Sequence, residues 1–245
     1  MEPFCRNTIQ LGEELQSAFE LITGKRPHLI VVHLHRRKLD VNRPLLEATF
    51  GDAGAMEAWG EYHDAIELAK SSIDGPGLLL DVHAHARNNT ELGYRISKRR
   101  MDADNYNGRT RRKSSICALV KRVCGQEEDP PGCFQELVRG DVSLGERLLS
   151  KIDLYAANDL TLLAGHDVLP SIELPMRETD YDFSAEGYTV LRHGTRTCRR
   201  RKGRVDAVQL QVPRDVLNDY VKRQVYALSL AHAVVDFLYD FYYPY

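Results

Sequence analysis

Two histidines and an aspartate alternate within the stretch "DVHAH" at residues 81–85. In an extended strand this alternation puts Asp81, His83 and His85 on one side. A neutral imidazole beside a carboxylate is a natural ligand set for a divalent transition metal such as zinc. A zinc hydrolase also needs an open water position, so we expect a further ligand from elsewhere in the chain. The alternative is that both histidines only form hydrogen bonds at the end of a strand.

A cationic cluster, "RRKLDVNRP", occupies residues 36–44. Arg36 and Arg43 carry planar guanidinium groups suited to bidentate binding of a carboxylate, and Asn42 adds amide donors beside them. Asp40 is available to hold one of the arginines in place. The alternative is a solvated surface loop, as most charge clusters are. The position after an apolar run favours an anion site, because α/β proteins bind ligands where strands end.

The surrounding elements alternate between helices and strands. Helical spacing predicts a first helix between Asn7 and Gly24. The apolar run "HLIVVHL" at residues 28–34 predicts a buried strand, and residues 56–73 predict a second helix. A second buried strand is predicted at residues 78–85. This order indicates an α/β fold with a mixed, mostly parallel central sheet, and both polar clusters then follow strand ends.

The second half of the chain predicts a long surface excursion, a hairpin and a helix. Residues 98–131 are rich in charge and turn residues, with a helix inside them. "GYTVLRHG" and "RVDAVQLQV" predict two strands that flank a basic tip, and a long C-terminal helix starts at Pro213. His193 comes before a glycine turn near the expected cleft. It is therefore a weaker candidate for a further metal ligand.

Composition favours one globular domain spanning residues 1–245. Lys and Arg total 33 against 35 Asp and Glu, so the formal net charge of −2 gives no field that requires nucleic acid or anionic lipid. The basic stretch at residues 198–204 is a candidate nucleic-acid patch, although a solvated hairpin tip is the simpler interpretation. We also expect no membrane span and no signal peptide. The five cysteines contain no Cys-x-x-Cys pair, so we expect no disulfide scaffold and a reducing, cytoplasmic setting.

"RRKLDVNRP", "LLLDVHAH", "GYTVLRHG" and "VDAVQLQVP" together resemble the N-formylglutamate amidohydrolase family over residues 8–218. The resemblance implies a fold related to the zinc carboxypeptidases and to the aspartoacylase group. It implies metal-assisted hydrolysis of an amide on a small carboxylate-bearing substrate. It assigns Arg36, Asn42 and Arg43 to the substrate carboxylate and scissile carbonyl, and His83 to zinc. His85 is a further substrate-binding candidate.

Two departures from the family pattern bear on activity. Relatives have a Pro-His-Gly type segment that supplies the first metal ligand, whereas residues 1–27 contain no histidine, so we expect the domain to be truncated at its N-terminus relative to the family. Relatives also read Gln-x-Glu where this chain reads "QLQ", which puts Gln211 at the general-base position. A carboxamide does not accept a proton at neutral pH. Two hypotheses remain: a zinc-dependent amidohydrolase, or an inactive relative that acts as a binding or regulatory protein.

Overall fold

The protein is known from a computed structural model that describes residues 7–102, 108–125, 132–157, 161–171, 187–195 and 204–243. These residues form an α/β fold with one four-stranded mixed sheet, which confirms the predicted fold class at that level. The strands are β1 (Gly77–His85), β2 (Thr90–Gly93), β3 (Val168–Leu169) and β4 (Val205–Pro213). The helices are α1 (Thr8–Thr23), α2 (Leu45–Thr49), α3 (Ala53–Ser71), α4 (Lys98–Asp102), α5 (Gly108–Lys113), α6 (Cys117–Cys124), α7 (Cys133–Arg139), α8 (Leu144–Ala157), α9 (Tyr188–His193), α10 (Arg214–Asn218) and α11 (Tyr220–Phe241), with a 3₁₀ turn at Thr161–Leu163.

The strand order β1-β4-β2-β3 places β1 at one edge of the sheet. β1 runs parallel to β4, β2 runs antiparallel to β4, and β2 runs parallel to β3. Two of the three pairings are therefore parallel, as predicted. The strands predicted at residues 78–85 and within "RVDAVQLQV" are confirmed as β1 and β4, which pair from Gly77 and Val205 to His85 and Pro213.

The main hydrophobic core covers one face of this sheet. Leu80 and Val82 of β1 and Val208 and Leu210 of β4 belong to it, together with residues of α1, α8 and α11. α11 lies against both α1 and α8. The predicted first helix is confirmed as α1, which ends where Gly24 adopts a φ of 67° that favours glycine. The helix predicted at residues 56–73 is confirmed as α3.

The predicted strand at residues 28–34 is wrong. The segment has no regular secondary structure, and no residue in it is fully buried. A strand needs a partner for its main-chain groups, and this segment lines a cavity opposite β1 instead of pairing with it. A short apolar run without alternation indicates burial of some kind, and the partner it requires cannot be read from the run itself.

The predicted strand in "GYTVLRHG" is also wrong, because these residues form the short helix α9. Thr189, Val190 and His193 are buried, which is a helical spacing and not the alternation of a strand. Gly187 precedes the helix and lies so close to the Gln209 side chain that a β-carbon at residue 187 would clash with it. This glycine therefore allows α9 to pack directly on β4.

The predicted surface excursion at residues 98–131 is wrong where the chain is described. Met101, Ile116 and Leu119 are fully buried in the main core, so α4 and α6 are part of the fold. The predicted C-terminal helix is present but begins later than expected, since α10 ends before Asp219. The Asp219 carboxylate accepts hydrogen bonds from the main-chain N–H groups of Val221 and Lys222 and thereby caps a new helix, α11.

A disulfide joins Cys124 at the end of α6 to Cys133 at the start of α7, with their α-carbons 5.8 Å apart. The cysteine pattern argued against a disulfide scaffold and did not predict this bond. The spacing gave no sign of it, because the two cysteines meet only when the helices pack. Disulfides are typical of oxidising compartments, which weighs against the expected cytoplasmic setting. Among the described helices, none combines the length and the apolar character needed to cross a bilayer. The basic tip at 196–203 lies outside the described residues.

Candidate functional site

The second face of the sheet carries a row of polar side chains where β1 and β4 end. Alternation along β1 puts Asp81 and His83 on this face, as predicted. The register pairs His83 with Gln211 of β4, and Gln211 in turn with Glu91 of β2. His83, Gln211 and Glu91 therefore lie side by side on three neighbouring strands. His83 and Gln211 were both assigned to the site from the sequence alone.

Asp81 and His83 form a direct pair. The Asp81 Oδ1 atom lies 3.0 Å from His83 Nε2, and the carboxylate is 8% exposed. The second oxygen, Oδ2, is buried and has no hydrogen-bond partner in the described part of the chain. Tyr62 of α3 lies nearby, and burial raises the pKa of its hydroxyl, with the Asp81 charge adding to the effect. The pair is therefore a buried carboxylate and imidazole with one acceptor oxygen left over.

The loop at residues 36–44 brings its arginines together on one carboxylate. Arg36 Nη2 lies 2.6 Å from Asp40 Oδ2, and Arg43 Nε lies 3.9 Å from the same oxygen. Both arginine side chains are about half exposed. The loop is anchored by Leu39, which is buried, and by Trp59, whose indole N–H donates to the Arg43 carbonyl. The predicted role of Asp40 in holding an arginine agrees with this geometry.

Asn42 joins the loop to the strand. Its Oδ1 atom accepts a hydrogen bond of 2.9 Å from the main-chain N–H of Thr189, and its Nδ2 atom lies 3.5 Å from His83 Nε2. The buried Thr189 hydroxyl lies within reach of the Tyr62 hydroxyl. Asn42 is therefore the point where the cationic loop, α9 and the Asp81–His83 pair meet. Residues 147 positions apart in sequence form this contact, so spacing could not have predicted it.

A cavity of about 550 Å³ opens at this junction. Its polar end is formed by Arg36, Asp40, Asn42, Asp81 and His83, which lie at the carboxyl end of β1. The rest of its wall is predominantly apolar and is supplied by α1, α3, the segment 27–34 and β1. Largely apolar cavities with a few converging polar groups are the usual form of small-molecule sites. The structure thus brings four sequence-predicted residues, Arg36, Asn42, Asp81 and His83, to one pocket.

Four predicted residues do not line this cavity, namely Arg43, His85, His193 and Gln211. Arg43 points its guanidinium toward Asp40 at the loop surface. His85 Nε2 donates a hydrogen bond of 2.7 Å to the Asn89 carbonyl, and burial lowers the pKa of the ring to about 4. His193 contacts Glu67 and His63 of α3. Among Arg43, His85 and His193, only Arg43 is therefore close enough to act together with the cavity residues.

His193 belongs to a buried chain of titratable groups that the sequence did not reveal. Its Nδ1 atom lies 2.7 Å from Glu67 Oε1, and its Nε2 atom lies 2.7 Å from His63 Nδ1. Both ring nitrogens are thus engaged, which leaves no lone pair for a metal. Burial, together with the charge of His193, lowers the pKa of His63 to about 3. His63 and Glu67 are one helical turn apart, but their partner lies 130 residues from His63 and leaves no spacing signal.

Gln211 is the fourth predicted residue outside the cavity, and its register partner on β2 is a carboxylate that is already bound. The nearest carboxylate in register is Glu91, which is fully buried. The Arg87 guanidinium binds both oxygens of Glu91, at 2.7 and 2.8 Å, and Asn89 donates a further hydrogen bond at 3.3 Å. A carboxylate neutralised in this way is a poor proton acceptor. The position where the family resemblance predicts the general base therefore holds no side chain that accepts a proton at neutral pH.

The donor set does not complete a zinc site. Asp81 and His83 supply two ligands, whereas catalytic zinc is held by about three. His85 and His193 are turned to other partners, and among the described residues no group of three His, Cys, Asp or Glu side chains is arranged to hold a metal ion. The residues that are present in these parts of the chain therefore do not fit the metal that the family resemblance implies.

No protein-family model, curated protein or solved structure matches the chain significantly.

Proposed function

We propose that this protein binds a small carboxylate-bearing molecule at the polar end of the cavity and does not hydrolyse it. In this proposal it is a relative of the N-formylglutamate amidohydrolases with their zinc-peptidase-like fold. It keeps the carboxylate-binding half of the site and lacks the hydrolytic half. The single observation that carries the proposal is that Arg36 and Arg43 converge on one carboxylate oxygen next to Asn42 and the cavity.

The Asp40 carboxylate supports the assignment of ligand chemistry. Two guanidinium groups within 4 Å of the same oxygen form an environment that favours a carboxylate. Arg36 lines the cavity and is about half exposed, so a second carboxylate can reach its guanidinium from the cavity side without displacing a buried group. Asn42 Nδ2 and His83 face the same space and offer polar contacts for an amide or acyl group of that molecule. The apolar remainder of the cavity leaves room for its body.

Two observations support binding without hydrolysis. Gln211 stands beside His83 in the sheet, and its amide has no basic lone pair at neutral pH. The described residues also supply two of the three ligands that a catalytic zinc needs. Loss of a general base alone typically lowers a rate by about 10²–10⁴.

A metal-dependent amidohydrolase is the second candidate. One observation favours it, the buried Asp81 Oδ2 atom, an acceptor without a partner among the described residues and directed away from its hydrogen bond with His83. This candidate requires a further ligand from outside the described residues. It also requires another group to replace Gln211. Metal content and turnover of N-acyl acidic amino acids distinguish it from the first proposal.

Calorimetric titration with N-acetyl-L-glutamate tests the proposed binding. We expect saturable binding of one molecule per chain, weakened about 10- to 100-fold in Arg36→Gln, because hydrogen bonds to charged groups contribute about 1.5–3 kcal/mol. Arg37→Gln is the matched control, since Arg37 is adjacent in sequence, exposed and absent from the cavity wall. Absence of binding, or an equal loss in both variants, would contradict a specific carboxylate site.

A further inference from the structure

The cavity follows the open edge of β1. All six residues of the stretch 78–83 line it. Successive side chains of a strand point to opposite faces, so a cavity over one face would contact only alternate residues. Contact with every residue places the cavity at the edge of the sheet, where β1 has no neighbouring strand among the described residues. We call the part of the cavity next to Leu78–Val82 the edge slot.

Three apolar walls enclose the edge slot. Helices α1 and α11 form the wall on the core face, and α3 forms the wall on the polar face. The segment 27–34 closes the outer side. The wall residues are Gly12, Leu15 and Phe19 of α1, Val234 and Leu238 of α11, Ile66 and Ala69 of α3, and Leu29 to Val32. The space therefore has apolar surfaces above and below the sheet plane, as the position of an edge strand requires.

Main-chain groups of β1 face this slot. The N–H of Gly77 donates to the Arg204 carbonyl at the β4 side. The N–H and C=O of one strand residue point the same way and alternate along the strand, so Leu79 and Asp81 also face β4. The main-chain groups of Leu78, Leu80 and Val82 then point into the edge slot. No main-chain hydrogen bond joins these three residues to other described parts of the chain.

We propose that the edge slot binds an extended, apolar segment of another polypeptide, which adds to β1 as a new edge strand. Three N–H and three C=O groups in an apolar space require hydrogen-bond partners, and an extended backbone supplies them at the correct spacing. Because the slot has apolar walls on both faces of the sheet, we expect the added strand to carry apolar side chains on both of its faces. The five residues Leu78–Val82, at about 3.3 Å each, match a segment about 17 Å long.

Charge in the cavity supports an uncharged occupant along the slot. Charged side chains line the cavity at its polar end, and Lys70 of α3 is paired with Glu67 at 2.9 Å. The residues of α1 and α11 in the cavity wall, and Leu78 to Leu80 of β1, carry no charge. A peptide that fits is therefore apolar in its middle. The polar end stays free for the carboxylate described above, and the strand proposal does not depend on that ligand.

Hydrogen exchange of main-chain amides tests the strand proposal directly. The probe is the acetylated and amidated heptapeptide HLIVVHL, which copies residues 28–34 and is apolar at its centre. In the protein alone, we expect the amides of Leu78, Leu80 and Val82 to exchange at least 10-fold faster than those of Leu79 and Asp81. Addition of the peptide should slow the first group at least 10-fold. Slow exchange of all five amides in the protein alone would overturn the proposal, because the chain would then fill its own slot.

Two further ligands separate strand addition from apolar filling. The same peptide, N-methylated at alternate residues, keeps its side chains but loses the N–H groups that face β1, and we expect it to bind at least 10-fold more weakly. Decanoate offers an apolar chain without main-chain groups, and we expect it to leave the three amides unprotected. Equal binding of the methylated peptide, or equal protection by decanoate, would show a pocket for small apolar molecules and would contradict the proposal.

A filled slot provides the matched variant. Ala69 lines the slot from α3, whereas Leu68 next to it is 72% exposed. We expect Ala69→Phe to fill the slot, keep the circular dichroism spectrum of the fold and weaken peptide binding at least 10-fold. Leu68→Phe adds a ring on the solvent side and should bind as the unmodified protein does. If folded Ala69→Phe binds the peptide with unchanged affinity, the peptide does not occupy the slot.

Discussion

The Asp81 carboxylate and the His83 imidazole form a pair on the polar face of β1, with 3.0 Å between Oδ1 and Nε2. This pair orients His83 toward Asn42 at the entrance of the cavity. It also leaves Asp81 Oδ2 buried without a partner in the described part of the chain. A buried acceptor without a hydrogen bond is costly, and such groups are typical of functional sites.

Replacement of this carboxylate should separate stability from binding. Asp81→Asn keeps an oxygen for His83 and replaces the unpartnered oxygen by an amide group near the hydroxyls of Tyr62 and Thr189. We expect the free energy of unfolding to stay equal or to increase by about 1–2 kcal/mol, because a buried charge is removed. Asp81→Ala removes the acceptor and should destabilise the protein. Chemical denaturation of both variants measures the difference, and a destabilised Asp81→Asn would contradict this account of Oδ2.

The buried His63–His193 pair predicts sensitivity to acid. The pKa of His63 is lowered to about 3, from an ordinary value of about 6.5 in the unfolded chain. Between these values the unfolded state binds more protons, so the contribution to stability is complete above about pH 6.5 and is lost as the pH falls. The slope is at most about 1.4 kcal/mol per pH unit for one imidazole. Denaturation at several pH values should show a flatter dependence in His63→Gln. The control variant His33→Gln changes an exposed histidine and should keep the steeper pH dependence of the unmodified protein.

The Arg87–Glu91 pair predicts a strong effect of charge removal next to the site. Glu91 is fully buried, and its two oxygens are both bound by Arg87. Arg87→Met leaves this charge without its partner and should lower the free energy of unfolding by about 3–5 kcal/mol. The double variant Arg87→Met/Glu91→Gln should recover more than half of the loss. A double variant as unstable as Arg87→Met would show that packing of the arginine, and not charge, is responsible.

The Cys124–Cys133 disulfide should stabilise the connection between α6 and α7. It closes a loop with a sequence separation of 9, for which chain entropy gives a stabilisation of about 2–3 kcal/mol. Cys124→Ala/Cys133→Ala should lower the free energy of unfolding by this amount in the absence of reductant. Thermal and chemical denaturation measure it, and a variant as stable as the unmodified protein would contradict the link.

The elements that were predicted correctly have patterns that depend on nearby residues. The helices α1 and α3 show apolar residues at helical spacing, β1 is an apolar run that ends in polar residues, and β4 alternates apolar and polar residues from Val208 to Val212. Alternation within "DVHAH" was enough to place Asp81 and His83 together. The loop at residues 36–44 was recognisable because its arginines and Asp40 are close in sequence.

The features that were missed depend on contacts between distant residues. The run at 28–34 has the composition of a strand, but it lines the cavity beside β1 and does not pair with that strand. α9 is a helix because Gly187 lets it pack on Gln209, and no local pattern shows this. Glu67, His193 and His63 form a chain only after α9 packs on α3. These contacts cannot be predicted from the spacing of residues along the sequence.

Binding and turnover of N-acetyl-L-glutamate, measured on the same sample, test the central claim most directly. The protein is dialysed against chelator, divided, and one half receives one equivalent of zinc. Both halves are titrated with the molecule and then assayed for released glutamate. The account predicts saturable binding of one molecule per chain in both halves, weakened in Arg36→Gln, with no glutamate released. Zinc-dependent release that is abolished by His83→Ala would contradict it, and so would the absence of binding.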